Sequence, residues 1–278
     1  MQTTLAPSSQ TSLQVDGVQV RIDGPPDAPT ILLMHGWPDT LQLWDATVAA
    51  LSPRWRCIRF TLPGFDLDQP GRAVSVARMV QLINAVLDSA GAQAPVSLLL
   101  HDWGCAFGYE YAARRPQRVA RIIGVDVGDH ASAELSRALG PKGRRMVFGY
   151  QVWLALAYKM GDRLGTPMAR WMARKLRCRA KPDQIGAQMG YPYAMRWFGT
   201  AGGFGQLAPV GNLACPMLYV YGARKYFQFH SPEWLAQLQA RPGCAVQALP
   251  TGHWVMLDKP AEFQACVLGW LGASSAPA

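Results

Sequence analysis

Acidic residues are scarce in this sequence: 18 Asp and Glu stand against 27 Lys and Arg, and charged residues make up only 16% of the 278-residue chain. Charge this sparse, with half of the residues hydrophobic, excludes a disordered chain, and the lack of a glycine or heptad period excludes collagen and coiled coil. Long apolar runs are missing too. The longest, such as Ile31 to Met34 and Val96 to Leu100, are strand-sized and far short of the ~20 residues that a membrane-crossing helix needs. Met1 to Ser12 has no basic region followed by an apolar stretch, so no secretory signal is expected and the expected compartment is the cytoplasm. The six cysteines (57, 105, 178, 215, 244 and 266) show no CxxC or metal-like spacing. They are expected to be reduced and to pack as small hydrophobes, and neither a metal nor a cofactor is expected.

What is present is an alternation. Short apolar runs at Ile31–Met34, Cys57–Thr61, Val96–His101, Ile122–Val127, Met217–Tyr221 and Ala245–Leu249 read as buried parallel strands. Leu13 to Ile22 turns on Asp16-Gly17, a hairpin signal. Between these runs, residues 41–52, 74–91, 104–116, 231–241 and 260–271 carry apolar positions at helical spacing, with Ser231-Pro232 as a helix start. Strand and helix in alternation predict an α/β fold with a mostly parallel sheet flanked by helices. From Ala131 to about Leu213 the alternation stops. This stretch is rich in Trp, Met and Tyr, and residues 131–200 hold thirteen Lys or Arg against three acids, so the positive charge of the whole chain resides there. The expected organisation is a core of residues 13–130 and 214–272, a helical basic cap at 131–213, and disordered tails at 1–12 and 273–278.

Three strand ends carry chemistry. Met34-His35-Gly36-Trp37-Pro38 follows one strand, Leu100-His101-Asp102-Trp103-Gly104 breaks from strand to helix, and Gly252-His253-Trp254 follows the last strand. A carboxylate at such a junction is already ionised at neutral pH. It can attack a tetrahedral carbon without a base and form an ester, which a histidine-activated water then cleaves.

In the order and spacing of HGWP, HDWG and GH, the chain resembles the epoxide hydrolase and haloalkane dehalogenase branch of the α/β-hydrolase fold over nearly its whole length. The resemblance implies Asp102 as nucleophile, His253 as base, an oxyanion hole at the N–H groups of Trp37 and Trp103, and a cap in the basic segment. The sequence departs from the commonest pattern at Gly222-Ala223-Arg224-Lys225, where an acid is expected after strand seven. Asp126, after strand six, matches a minority position for the acid that orients the histidine, and Asp129 is the alternative. A second departure is Leu100, where the elbow usually has a small residue.

An opening epoxide leaves as a strong base and needs a proton donor, whereas a halide needs only N–H donors. Tyr150, followed by Gln151, resembles the ring-opening tyrosine of epoxide hydrolases, and Tyr193 in Tyr191-Pro192-Tyr193 is the second candidate. His35, Tyr191 and Trp153 are placed at substrate-binding positions, while His35 and His101 are also suited to fixing loops. The expected activity is opening of a small hydrophobic epoxide to a vicinal diol. The alternatives are haloalkane dehalogenation by the same nucleophile, and a non-catalytic protein that binds a membrane or partner through the basic cap. Reading 166–181 as one helix puts Met168, Trp171, Met172 and Leu176 on one face and a row of Arg and Lys on another. That arrangement suits an anionic lipid surface; nucleic acid is not expected, because no stacking platform accompanies the charge.

Overall fold

The computed structural model describes residues 10–130, 132–205 and 207–273. Strands β1 (Thr11–Val15), β2 (Val18–Asp23), β3 (Thr30–Met34), β4 (Arg56–Phe60), β5 (Val96–His101), β6 (Val119–Val125), β7 (Met217–Gly222) and β8 (Ala245–Leu249) form one sheet in the order β1-β2-β4-β3-β5-β6-β7-β8. The β1–β2 hairpin turns at Asp16 and Gly17, both at positive φ. β2 meets β4 antiparallel, and every pairing from β4 to β8 is parallel.

Alternate residues of each central strand enter different cores, as the two-residue period of a strand requires. Ile31 and Leu33 pack on the side of α1 (Asp45–Leu51) and α8 (Pro260–Ala273). Leu32 and Met34 pack on the side of α2 (Val76–Ser89) and α3 (Trp103–Arg114). Such two-sided burial is why these strands are apolar throughout. Between β6 and β7 the described residues form no strand; α4 (Ala133–Lys175) and α5 (Tyr191–Phe198) fill this stretch. Beyond β7 lie α6 (Pro232–Gln239), capped by the Ser231 hydroxyl, and the short α7 (Val255–Asp258). Among the described residues no helix is long and apolar enough to cross a membrane.

Three expectations need correction. Thr11 and Ser12 are not tail: they pair with Ile22 and Arg21, because a partner strand satisfies their backbone regardless of polar side chains; residues 1–9 of that segment lie outside the described ones. Ala273 is the last residue of α8, and 274–278 lie outside as well. The helix expected over 166–181 ends at Lys175, and Arg177 follows at φ 56°. α4 is in fact interrupted at Gly140 and Gly161, whose φ values are 60° and 68°. At Gly161 it folds back, so that Gly165 lies against the carbonyl of Ala157 and the Trp153 indole donates to Met168 O at 3.0 Å. This close backbone approach turns Ala169, Met172 and Ala173 inward and leaves Trp171 and Leu176 exposed.

Leu100 at the elbow is accommodated from α3. A Cβ at Gly108 would lie 2.5 Å from both Leu100 methyls, so the glycine vacates the volume that the larger elbow residue takes. Gly108→Ala should therefore cost about 1–3 kcal/mol through overpacking, and much less in a Leu100→Ala background. A double-mutant cycle by urea denaturation reads the difference, and additive costs would break the link between the two positions.

Candidate active site

The carboxyl ends of the parallel strands converge on one crevice, the place where open α/β sheets bind ligands. Asp102, directly after β5, has φ 52° and ψ −119°, a conformation that costs a non-glycine residue on the order of 1–3 kcal/mol. The turn closes only because its neighbours lack side chains. A Cβ at Gly36 would lie 2.3 Å from Asp102 Oδ2 and 2.5 Å from Trp103 N, and one at Gly104 would lie 2.4 Å from Met34 O. In the space so left, Trp37 N–H donates to Asp102 Oδ2 at 2.7 Å.

His253 arrives on the loop after β8. That loop crosses β7 so closely that a Cβ at Gly222 would fall 1.8 Å from Gly252 O. It is tied down where His101 Nε2 meets His253 O at 3.1 Å and where Trp254 Nε1 donates to Asp39 at 2.8 Å. His253 Nε2 lies 3.7 Å from Asp102 Oδ1, and Nδ1 bonds to Asp126 Oδ2. Asp126 follows β6 at φ 67° and has no exposed surface. Its Oδ1 accepts from Gly222 N at 2.9 Å, and Oδ2 also accepts from Lys225 Nζ at 2.6 Å. Asp129 is committed elsewhere, to Ser231 N–H at 2.8 Å and to the hydroxyls of Ser231 and Ser132 at 2.6 Å each.

The electrostatics follow from burial and from these partners. Burial by itself would raise Asp102, but the hydrogen bond and charge of His253, with smaller help from His101 and the Trp37 N–H, hold it below the usual carboxylate range. For His253 burial again opposes the charged form, yet the charges of Asp126 and Asp102 and its bonds to both raise it to about 9. At neutral pH the site therefore rests as an imidazolium between two carboxylates. His101, fully buried and beside that cation, is lowered to about 3 and stays neutral.

Two cavities of about 450 and 470 Å3 meet at the elbow. Asp102, Tyr150, Tyr193 and Phe229 line both. The two tyrosine rings stand edge to face at 6.1 Å, and Tyr193 also meets the rings of Trp103 at 5.0 Å and Trp37 at 6.0 Å. Gln151 donates to the Tyr150 hydroxyl at 3.2 Å and accepts from Trp197. Burial pushes both tyrosine hydroxyls above their ordinary value, so both are protonated at neutral pH.

Three residues expected to touch substrate do not line either cavity. His35 is wholly buried, with Nε2 accepting from Leu62 N at 2.9 Å and Nδ1 against Gly36 O at 3.0 Å; its task is to shape the β3 turn. Tyr191 is wholly buried against Phe65. Trp153 holds the two arms of α4 together through Met168 O and the Trp171 ring. Sequence reasoning also missed Phe229, which no motif marks, and the bond from Lys225 to Asp126, whose only trace was the lysine standing where an acid was expected. Among the described residues, no group of His, Cys, Asp and Glu could hold a metal ion.

A family model described as the alpha/beta hydrolase fold matches residues 29–260. The chain is 36% identical over 112 residues to the probable oxidoreductase EphD of Mycobacterium tuberculosis, which covers 38% of this chain and 19% of that protein. It is 28% identical over 139 residues to epoxide hydrolase B of the same organism, covering 48% and 39%. The chain thus spans well under half the length of these relatives. In three dimensions it is similar to an epoxide hydrolase of Bacillus megaterium (TM-score 0.70, 19% identity, 94% of this chain and 100% of that one). A haloalkane dehalogenase variant of Bradyrhizobium elkanii superposes with a TM-score of 0.65 at 21% identity, covering 96% and 97%. At these identities the superpositions speak for the fold alone.

Lys225 shares the Asp126 oxygen that receives His253, so it offsets part of the charge that keeps the imidazole protonated. In Lys225→Met, His253 should titrate at a higher pH than in the parent, followed by NMR of its ring protons. A midpoint that stays put or falls would show that the lysine does not tune the histidine.

Proposed function

The chain belongs to the alpha/beta hydrolase fold family, and from that premise we propose that it is an epoxide hydrolase that opens an epoxide to a vicinal diol through an ester on Asp102. In this reading residues 131–213 form a cap over a core of 13–130 and 214–272. The observation that carries it is the shared wall of the two cavities, where Asp102 stands with Tyr150 and Tyr193. A carboxylate nucleophile and two phenol donors around one point match an epoxide, whose carbon is attacked while its oxygen gains a proton.

Asp102 Oδ2 is held by Trp37 N–H, which leaves Oδ1 to attack. The carbon–oxygen bond of the epoxide breaks, and the departing oxygen takes a proton from Tyr150 or Tyr193. Esterification removes the Asp102 charge, one of the two that keep His253 protonated, so the imidazolium gives up its proton, which restores the tyrosine. Neutral His253, steered by Asp126, then takes a proton from water. Hydroxide adds to the Asp102 carbonyl carbon and the oxyanion rests on the N–H groups of Trp37 and Trp103; on collapse the departing alkoxide takes the proton of the re-formed carboxylic acid, which releases the diol and restores the Asp102 carboxylate beside protonated His253.

A second reading has its own observation. The indole N–H of Trp37 is buried without an acceptor among the described residues, that of Trp103 faces the Tyr193 hydroxyl, and both residues flank Asp102. Such donors suit a departing halide, so haloalkane dehalogenation by the same ester is the alternative.

His253→Gln should form the ester and fail to cleave it, with turnover down about a thousandfold or more. Intact-protein mass spectrometry after incubation with epoxides and haloalkanes separates the readings. An adduct equal to a whole epoxide supports the first, and one equal to a haloalkane minus hydrogen halide supports the second. Asp102→Asn should form neither. No adduct from either panel would overturn the hydrolytic reading and favour a binding protein on this fold.

A further inference from the structure

We propose that the substrate is a linear amphipathic molecule with a carboxylate at one end, taken by the cationic chamber on the His253 side of the elbow; this inference rests on the hydrolytic reading above. The two cavities that meet at Asp102 differ in how many basic side chains line them. One runs beneath α4, with Ala106, Val127, Leu135, Leu139, Val147 and Phe148 among its walls. It also holds two arginines, Arg144, which donates to Ser136 O at 2.9 Å, and Arg196, which lies over the Trp197 ring at 5.7 Å.

The other chamber holds Lys175, Arg177, Arg179, Arg224 and Lys225. Against these five Lys and Arg side chains, and His253, stand two acids, Asp102 itself and Asp258, and Asp258 is bound to Arg179. Lys225 is engaged by Asp126 at 2.6 Å. Lys175, Arg177 and Arg224 have no carboxylate partner among the described residues; Lys175 lies over the Trp171 ring at 5.5 Å. A cleft lined by one sign of charge concentrates ligands of the other sign, and guanidinium groups match the two oxygens of a carboxylate.

The backbone adds a second, independent observation. Arg177 sits just past the end of α4 at φ 56°, where Cys178 N returns to Ala173 O at 2.9 Å. That is the helix-ending position at which glycine is favoured, and a side-chain-bearing residue is disfavoured there. The chain nevertheless keeps an arginine, and its side chain lines the chamber. With the reactive carbon at Asp102, an apolar tail fills one cavity and a carboxylate meets Arg177 and Arg224 in the other.

The test compares an epoxide of a medium-chain alkenoic acid with its primary amide at low salt. The expected result is a kcat/KM about tenfold or more higher for the acid, mostly through KM, shrinking as salt rises. In Arg177→Ala/Arg224→Ala, checked for an unchanged melting temperature, the acid-to-amide ratio should fall toward one, and Arg177→Lys/Arg224→Lys should keep much of it. Equal rates for acid and amide in the parent, or a preference that survives the double alanine variant, would overturn the proposal. So would a preference seen only when the epoxide is presented in anionic phospholipid vesicles, which would point to a membrane surface instead. If neither compound is turned over, epoxides of this class are removed as substrates, and the hydrolytic reading is judged by the adduct experiment above. Binding of decanoate against decanamide to Asp102→Asn then decides: tighter decanoate binding that needs the two arginines supports the anion subsite, and equal binding removes it.

Discussion

A carboxylate with no exposed surface, Asp126, is the constraint around which the functional end of this molecule is arranged. Placing a charge there costs several kcal/mol unless its lone pairs are met by donors. The donors come from three parts of the chain: Gly222 N–H at the end of β7, Lys225 just beyond it and His253 after β8. Meeting them requires that the β8 loop cross β7 in near contact, which a side chain at residue 222 would forbid. Burial of one acid thus dictates the path of the loop that carries the histidine.

The same acid sets the proton inventory. Between Asp126 and Asp102 the imidazole of His253 is biased toward its protonated form, a poor state for a base at neutral pH. Under the proposed chemistry the base appears only when needed, because esterification of Asp102 erases one of the two charges responsible. Lys225 moderates the other. A lysine where the commonest pattern of the family has an acid thereby becomes part of the same circuit. Its bond to Asp126 also fixes one cation of the chamber that we assign to the substrate's anionic end.

Legibility followed distance along the chain. Asp102, His253 and the Trp37 N–H could be located in the sequence because each sits at the end of a strand, where an apolar run breaks into glycine within two or three residues. Asp126 was legible for the same reason, though the choice between it and Asp129 was not. That choice depended on which carboxylate the β8 loop reaches and which the Ser132 and Ser231 hydroxyls engage. Leu100 looked unsuited to its place until Gly108, eight residues on and one helical face away, was seen to make room. His35, Tyr191 and Trp153 lie near the site in sequence yet point elsewhere, since the direction of a side chain depends on what packs beside it.

The amino-acid sequence by itself determined the alternation of strands and helices, the hairpin at Asp16-Gly17, the concentration of basic charge between β6 and β7, and the strand-end motifs. All of these are written in periods and neighbours a few residues long, which local backbone preference and the burial of apolar faces translate directly. Only the tertiary structure decided that α4 folds back at Gly161, that Lys225 lies on Asp126 across 99 positions of sequence, and that five Lys and Arg side chains share one chamber with Asp102. Those outcomes depend on groups distant along the chain meeting in space, where packing fixes which charges share an environment of low dielectric and which remain in water.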